Sequence, residues 1–232
     1  MKKATVKYAF IASLPVMAGY VVLGIGFGVL LSAKGYAWWW AVLMSVFIFA
    51  GSMQYVGIDL LSSGASVLST ALMTLMVNAR HLFYGISMVE RYRDMGKRKW
   101  YVIFGLSDET YSLVCVDGEL PAGVDRKDYY FLVTMLDRIY WISGSLIGAV
   151  LGNALSFNTA GIDFAMTALF VSIFVDQWEK TKQHLPALLG LLISLACLLV
   201  FGTERFLIPS MLGISLALLL LRGRIERAGE PL

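Results

Sequence analysis

This chain has eight apolar stretches, several of them about as long as a bilayer is wide, and that leaves little choice of architecture. They lie at about 9–33, 38–61, 66–89, 101–116, 131–152, 162–178, 185–202 and 206–221. A helix needs about 20 apolar residues to cross the hydrocarbon core. Lipid offers no partner to a backbone N–H or C=O, so only helices and closed barrels cross it. The runs are continuous rather than alternating, which selects helices. The sequence therefore predicts an all-α, polytopic transmembrane helix bundle of about seven to eight hydrophobic segments, one integral membrane domain over residues 1–232. Composition agrees. The chain is 58% hydrophobic and 15% charged, with mean hydropathy +0.72, too little charge for the surface of a soluble domain of this length.

The net charge is +3, and the basic residues gather at 2–7, 91–99 and 222–227. Such clusters report topology first, because basic loops stay in the cytoplasm. A nucleic-acid footprint is a poor second reading, since no basic patch is interleaved with exposed aromatics. Lys2-Lys3 before an apolar run resembles a signal peptide. The run from Phe10 to Ala33 is too long for that and lacks a small-x-small cleavage site, so a first span is expected. Cys115 and Cys197 are isolated within apolar runs, without metal-ligand spacing. No cofactor is expected.

Two kinds of residue stand out within the segments. Gly24 and Gly28 in the first, and Gly144, Gly148 and Gly152 in the fifth, recur at four-residue spacing. Such strips let helices approach closely. Two of them offer more close-packing surface than a lone bundle needs, which points to a second membrane subunit. Gly24-Ile25-Gly26-Phe27-Gly28 is not a dinucleotide fingerprint, because it lies inside an apolar run rather than at a strand-to-helix turn.

The other kind is polar. Gln54 sits among small residues, and two readings stand: a hydrogen bond between helices, or a substrate contact. In the third segment Thr70, Thr74, Asn78 and His81 recur on one helical face, and Arg80 points elsewhere on the same turn. The fourth segment is short, about 24 Å as a helix against a core of about 30 Å. Asp108 and Glu109 lie at its centre. Ionisable groups at that depth mark a functional site by default. Shortness with central polarity predicts a broken or tilted helix lining a cavity.

The stretch 117–130 holds Asp117, Glu119, Asp125 and Asp128 against Arg126 and Lys127, and reads as an external loop; 90–100 reads as cytoplasmic. Three segments separate the first two basic clusters and five separate the last two. Both counts are odd, so the three clusters cannot share one side if every segment crosses. Either one element in each half is re-entrant, making inverted half-repeats at about 1–116 and 131–221, or all eight cross and both termini lie outside. The first reading is preferred.

At Phe49-Ala50-Gly51-Ser52-Met53-Gln54, Asn78-Ala79-Arg80-His81-Leu82-Phe83-Tyr84-Gly85, Ser107-Asp108-Glu109-Thr110 and the stretch from Asp163 to Phe170, the chain resembles the AzlC family. Its members are the large subunits of bacterial branched-chain amino acid exporters. The Asn-x-Arg-His-x-x-Tyr and Ser-Asp-Glu stretches are specific; the other two alone are weak. The resemblance implies an exporter of L-valine and similar apolar amino acids, methionine among the candidates, in the inner (plasma) membrane. It also implies a separate small membrane partner of the AzlD type.

An amino acid zwitterion needs one group for its carboxylate, one for its ammonium and an apolar pocket. Arg80 can hold a carboxylate with two parallel hydrogen bonds. Asp108 or Glu109 can face the ammonium. Met53 and Phe83 can line the pocket, and His81 is a candidate proton carrier. Gln54, Asn78, Tyr84 and Asp163 complete the candidate set. The structural alternative for Arg80 is an internal ion pair with Asp108 or Glu109, and both roles can alternate in one cycle. An intramembrane enzyme is disfavoured, since no His-Glu-x-x-His, Gly-x-Ser-x-Gly or paired-aspartate arrangement occurs. A transporter or channel subunit for another small solute remains the competing reading.

Overall fold

The structure is a computed structural model that describes residues 2–78, 80–115, 120–154, 184–203 and 206–229, together with 164, 171, 174, 175, 178 and 179. The described residues form helices and connecting turns, with no strand among them. The helices are α1 (Lys3–Ala33), α2 (Trp38–Phe47), α3 (Gly51–Ser62), α4 (Val67–Asn78) and α5 (Arg80–Met88). They continue as α6 (Arg98–Phe104), α7 (Asp108–Val114), α8 (Arg126–Ala154), α9 (Leu185–Phe201) and α10 (Leu207–Gly229). Ala79 and most of the sixth apolar segment, Asp163 included, lie outside the described residues. Among the described residues α1 is the one helix long and apolar enough to cross a bilayer by itself.

The chain forms two compact units, 1–166 and 167–232. The first is built on α1 against α8. The two glycine strips face each other there. A Cβ on Gly24 would lie 2.9 Å from the Ser145 nitrogen, and one on Gly144 2.8 Å from the Val21 oxygen. A Cβ on Gly28 would strike the backbone of Ser145 and Ala149, and one on Gly148 the backbone of Ile25. Gly152 closes the series against Ser32 and Val29. Both strips are therefore occupied within this chain and leave no such surface for a second subunit. The expectation that they point to one is corrected here.

The α1–α8 pair is parallel. The Asp125 N–H donates to the Thr5 hydroxyl at 3.1 Å, while Gly152 meets Ser32 at the other extreme. This fixes a near end, where both helices begin, and a far end. An inverted relation would not carry α1 onto α8, since it would reverse direction.

The second and fourth apolar segments do not run through; each turns back. In the first hairpin, α2 and α3 lie side by side, with Gln54 bonded to Ser45 and Gly57 against Met44. The hairpin starts just after α1 ends and returns to the far end, where Lys34 meets Asp59 at 4.0 Å. In the second, Arg98 at the start of α6 pairs with Asp128 at 2.6 Å. The other limb returns to the same near end, where the Leu113 and Val114 carbonyls accept from Tyr129 and Arg91. Tyr92 and Met95 pack beside Tyr129 and Tyr130 in the same cluster. The stretches 90–98 and 120–128 therefore share one end. Their assignment to opposite sides is corrected by these contacts. Acids carry little topological information, so the sequence of 117–130 misled.

Neither hairpin turn contains proline. The first turns at Phe49, which takes φ +42, a left-handed conformation rare for a bulky side chain. The second turns at Gly105, where a Cβ would meet the Thr134 methyl and, at 3.2 Å, Arg138 Cδ. The turns read Phe49-Ala50-Gly51-Ser52 and Phe104-Gly105-Leu106-Ser107, a shared Phe-x-x-Ser. A long run followed by a hairpin thus occurs twice before residue 115, first toward the far end and then toward the near end.

The second unit packs α9 against α10, with Gly213 opening room for Ile193. Gly202 ends α9 with φ +72 and ψ 173, a backbone conformation that glycine adopts without a side-chain clash.

Candidate functional site

The two hairpin turns meet in the middle of the first unit, and Arg138 of α8 joins them. Its guanidinium donates to the Val46 carbonyl at 2.9 Å, a group the first turn would otherwise strand. It also lies 5.2 Å from the centre of the Phe49 ring, 5.0 Å from Tyr101 and 4.9 Å from Phe104. A desolvated cation is stabilised by such ring faces. Trp141, one turn further along α8, sits over Gly51 and donates to Gln54 Oε1 at 2.8 Å.

Gln54 is wholly enclosed, and its other end donates to Ser45 Oγ at 3.1 Å. Its amide thus ties α3 to α2 and α8 with hydrogen bonds made entirely inside the bundle.

Arg80 sits where the turns converge. Nη1 lies 2.7 Å from Asp108 Oδ2, and Nη2 donates to Ser52 Oγ at 2.6 Å. One guanidinium thereby touches both Phe-x-x-Ser turns, since Ser52 ends the first motif and Asp108 follows the second. Asp108 is held by local chain geometry. Ser107 caps α7, its hydroxyl accepting the Thr110 N–H at 3.1 Å, and Asp108 occupies the first position of that helix.

Glu109 faces elsewhere. The Tyr20 hydroxyl of α1 lies 2.6 Å from Glu109 Oε2 and 2.6 Å from Ser107 Oγ. Thr110 donates to Asp137 Oδ2 at 2.7 Å. The charged centre therefore has two parts: Arg80–Asp108–Ser52 on one side, and Glu109–Tyr20–Ser107–Thr110–Asp137 on the other.

His81 and Tyr84 line a third area. His81 Nδ1 is 3.1 Å from the Asn78 carbonyl, and its ring meets Tyr84 edge-on at 5.8 Å. Tyr84 stacks on Tyr111 at 4.7 Å. His81 also borders a cavity of about 350 Å³, walled by Gly85, Met88, Val89, Tyr92, Lys99, Ile103 and Leu106. That volume is in the range of small-molecule sites, and the lining is mostly apolar. Two of its lining residues adjoin the ion pair in the chain: Arg80 precedes His81, and Asp108 lies two residues beyond Leu106.

The sequence alone gives no role to Tyr20, to the buried Asp137 or to the part-buried Arg138 beside it. Tyr20 carries no signal, being one aromatic in a glycine-rich span. Asp137 and Arg138 do carry one: adjacent charges inside an apolar run.

Comparison with known proteins follows the same residues. The AzlC protein family matches residues 15–155, which include both hairpins and all of α8. The branched-chain amino acid transport protein AzlC of Bacillus subtilis is 44% identical over 225 residues, 97% of this chain and 88% of that protein. An uncharacterized membrane protein of Haemophilus influenzae is 41% identical, covering 99% of this chain and 93% of its own length. The inner membrane protein YgaZ of Escherichia coli is 27% identical over 85% of this chain and 80% of its own. No solved structure matches. With the family matched from the first helix through both hairpin turns to the end of α8, the chain belongs to the AzlC family.

Proposed function

We propose that the chain is a multi-pass transporter that exports branched-chain amino acids, L-valine foremost, across the bacterial inner membrane. The observation that carries this is the Arg80–Asp108 pair at the meeting point of two returning hairpins. A zwitterion can enter such a pair at low cost. Its carboxylate takes the guanidinium and its ammonium takes Asp108, so no charge is left bare. The two side chains are part-buried, 30% and 18% exposed, so parting them without a replacement leaves each charge short of a partner. The neighbouring apolar cavity suits an aliphatic side chain. The name of the Bacillus subtilis relative supports the substrate class.

In this reading α1, the α4–α5 run and α8 cross the membrane, and the two hairpins are re-entrant. Irregular backbone at that depth is tolerated only where protein or a cavity surrounds it, as at these turns. The near end faces the cytoplasm, where the positive-inside rule puts basic loops.

A small AzlD-type partner completes the exporter. That rests on the family resemblance, and α4, which buries none of its residues in this chain, offers a face for a second helix.

Efflux of labelled valine from preloaded cells lacking other exporters tests the reading, with and without the small partner. Saturable efflux that leucine and isoleucine inhibit is expected only when both are present. Unchanged efflux on removal of this chain sinks the substrate assignment; full-rate transport by the purified chain alone sinks the partner.

A further inference from the structure

We propose that Glu109 and Asp137 share one proton through three hydroxyls, and that this chain of groups couples proton movement to transport. The coupling role rests on the transport reading above; the shared proton does not.

The hydrogen bonds run in one line. Glu109 Oε2 to Tyr20 is 2.6 Å, Tyr20 to Ser107 2.6 Å, Ser107 to Thr110 Oγ1 3.1 Å, and Thr110 to Asp137 Oδ2 2.7 Å. That makes four bonds between oxygens. Each hydroxyl owns one proton, so Tyr20, Ser107 and Thr110 supply three. A fourth is needed, and only a carboxyl at one end can hold it. If Glu109 holds it, every hydroxyl donates toward Asp137. If Asp137 holds it, every hydroxyl donates toward Glu109. Ser107 suits both orientations, because the Thr110 N–H occupies only one of its lone pairs.

A second observation concerns Asp137 itself. The residue is 0% exposed, and its Oδ1 is buried without a hydrogen-bond partner among the described residues. As an anion it would leave charge on an undonated oxygen, whereas an acid lessens that demand. The facing charges do not replace the missing proton. Arg80 of α5 is bonded to Asp108 of α7, and Arg138 of α8 is turned to three rings and the Val46 carbonyl. Tyr20 of α1, Tyr84 of α5 and Tyr129 of α8 are further titratable groups facing the pair.

Transfer along the line is balanced. Asp137 gives its proton to Thr110 as Thr110 gives its own to Ser107, Ser107 to Tyr20 and Tyr20 to the Glu109 carboxylate. Four O–H bonds break and four form, and one unit of negative charge moves from Glu109 to Asp137. Glu109 adjoins Asp108 in the chain, so the proton's position sets the charge beside the substrate pair.

Infrared difference spectra of the purified full-length protein, Glu109→Gln and Asp137→Asn against wild type, read the carboxylic C=O band. An amide at either end donates in place of the acid and fills the line without an extra proton. Each single variant should therefore remove the whole band at neutral pH. Two half-sized losses, or no band in wild type, overturn the shared proton. In vesicles holding the protein with its partner, Asp137→Asn should cut pH-gradient-driven valine accumulation at least tenfold and keep valine exchange within twofold. Accumulation at the wild-type level overturns the coupling role. Absence of exchange in wild type counts against the transport reading instead, and leaves the spectroscopic result standing.

Discussion

Arg80 uses the geometry of its side chain as well as its charge. One nitrogen takes Asp108 and another takes Ser52, so the planar fork joins two turns that a point charge would serve less well. Arg80→Lys is expected to lower valine efflux at least about tenfold, roughly 1.4 kcal/mol, while membrane yield stays within about twofold. Arg80→Ala should abolish efflux and lower yield, because Asp108 is left without its counter-charge. Asp108→Asn in the same chain should recover yield but not efflux, a comparison made by immunoblot and efflux together. His81 gives a contrasting case. Its ring is held by a carbonyl and a tyrosine at the cavity wall, away from the hydroxyl line. His81→Ala is therefore expected to leave the pH dependence of efflux intact, which an efflux series across pH would check. Depth alone made Arg80 and Asp108 legible in the sequence, since each is a charge inside an apolar run. The division of labour between Asp108 and Glu109 was not legible. Successive helical residues point about 100° apart, and only the neighbouring Tyr20 shows which way Glu109 faces.

At the scale of elements, glycine spacing was a reliable guide to close approach, but not to the partner. Both strips are readable from four-residue periodicity. That they meet each other depends on the tertiary arrangement, which periodicity does not encode. The contacts make a sharp comparison within one helix. A Cβ on Gly28 would meet backbone of α8, which cannot rotate away, whereas one on Gly19 has nothing within 4 Å. Gly28→Ala or Gly148→Ala should destabilise the detergent-solubilised protein by about 1–3 kcal/mol or prevent its accumulation. Gly19→Ala should leave its melting temperature within error, as followed by fluorescence-detected chromatography. The broken fourth segment was foreseeable, because it is too short and carries acids at its centre. The broken second segment was not. Its turn has no proline, and its strained residue is Phe49, which local propensity would keep in a helix. What holds that turn is remote in sequence: Arg138, bonded to Val46 and stacked on Phe49.

For the whole molecule, the parity of the basic clusters and the hairpins explain one another. Three segments lie between clusters 2–7 and 91–99, and the second of them turns back, so the proposed arrangement has two crossings there and one shared side. The sequence alone asked for one re-entrant element in each half; among the described residues two hairpins occur and both precede residue 115, while most of the sixth segment lies outside the described residues. The contacts then sort the charges. Lys2, Lys3 and Lys7 start α1, Arg98 pairs with Asp128, and Arg126 and Lys127 begin α8 beside them, while Lys34 stands at the far end with Asp59. That asymmetry is what the positive-inside rule requires of a cytoplasmic near end. The resulting prediction concerns three exposed turn positions. Single cysteines replacing Asp94, Gly123 and Ser63, in a chain lacking Cys115 and Cys197, are treated with a membrane-impermeant maleimide. In intact spheroplasts Ser63→Cys should react, and Asp94→Cys and Gly123→Cys should react only after the membrane is opened. If Gly123→Cys reacts from outside while Asp94→Cys does not, the second hairpin crosses the membrane and cannot meet the first. Arg80 would then lose the geometry that lets one guanidinium serve both turns.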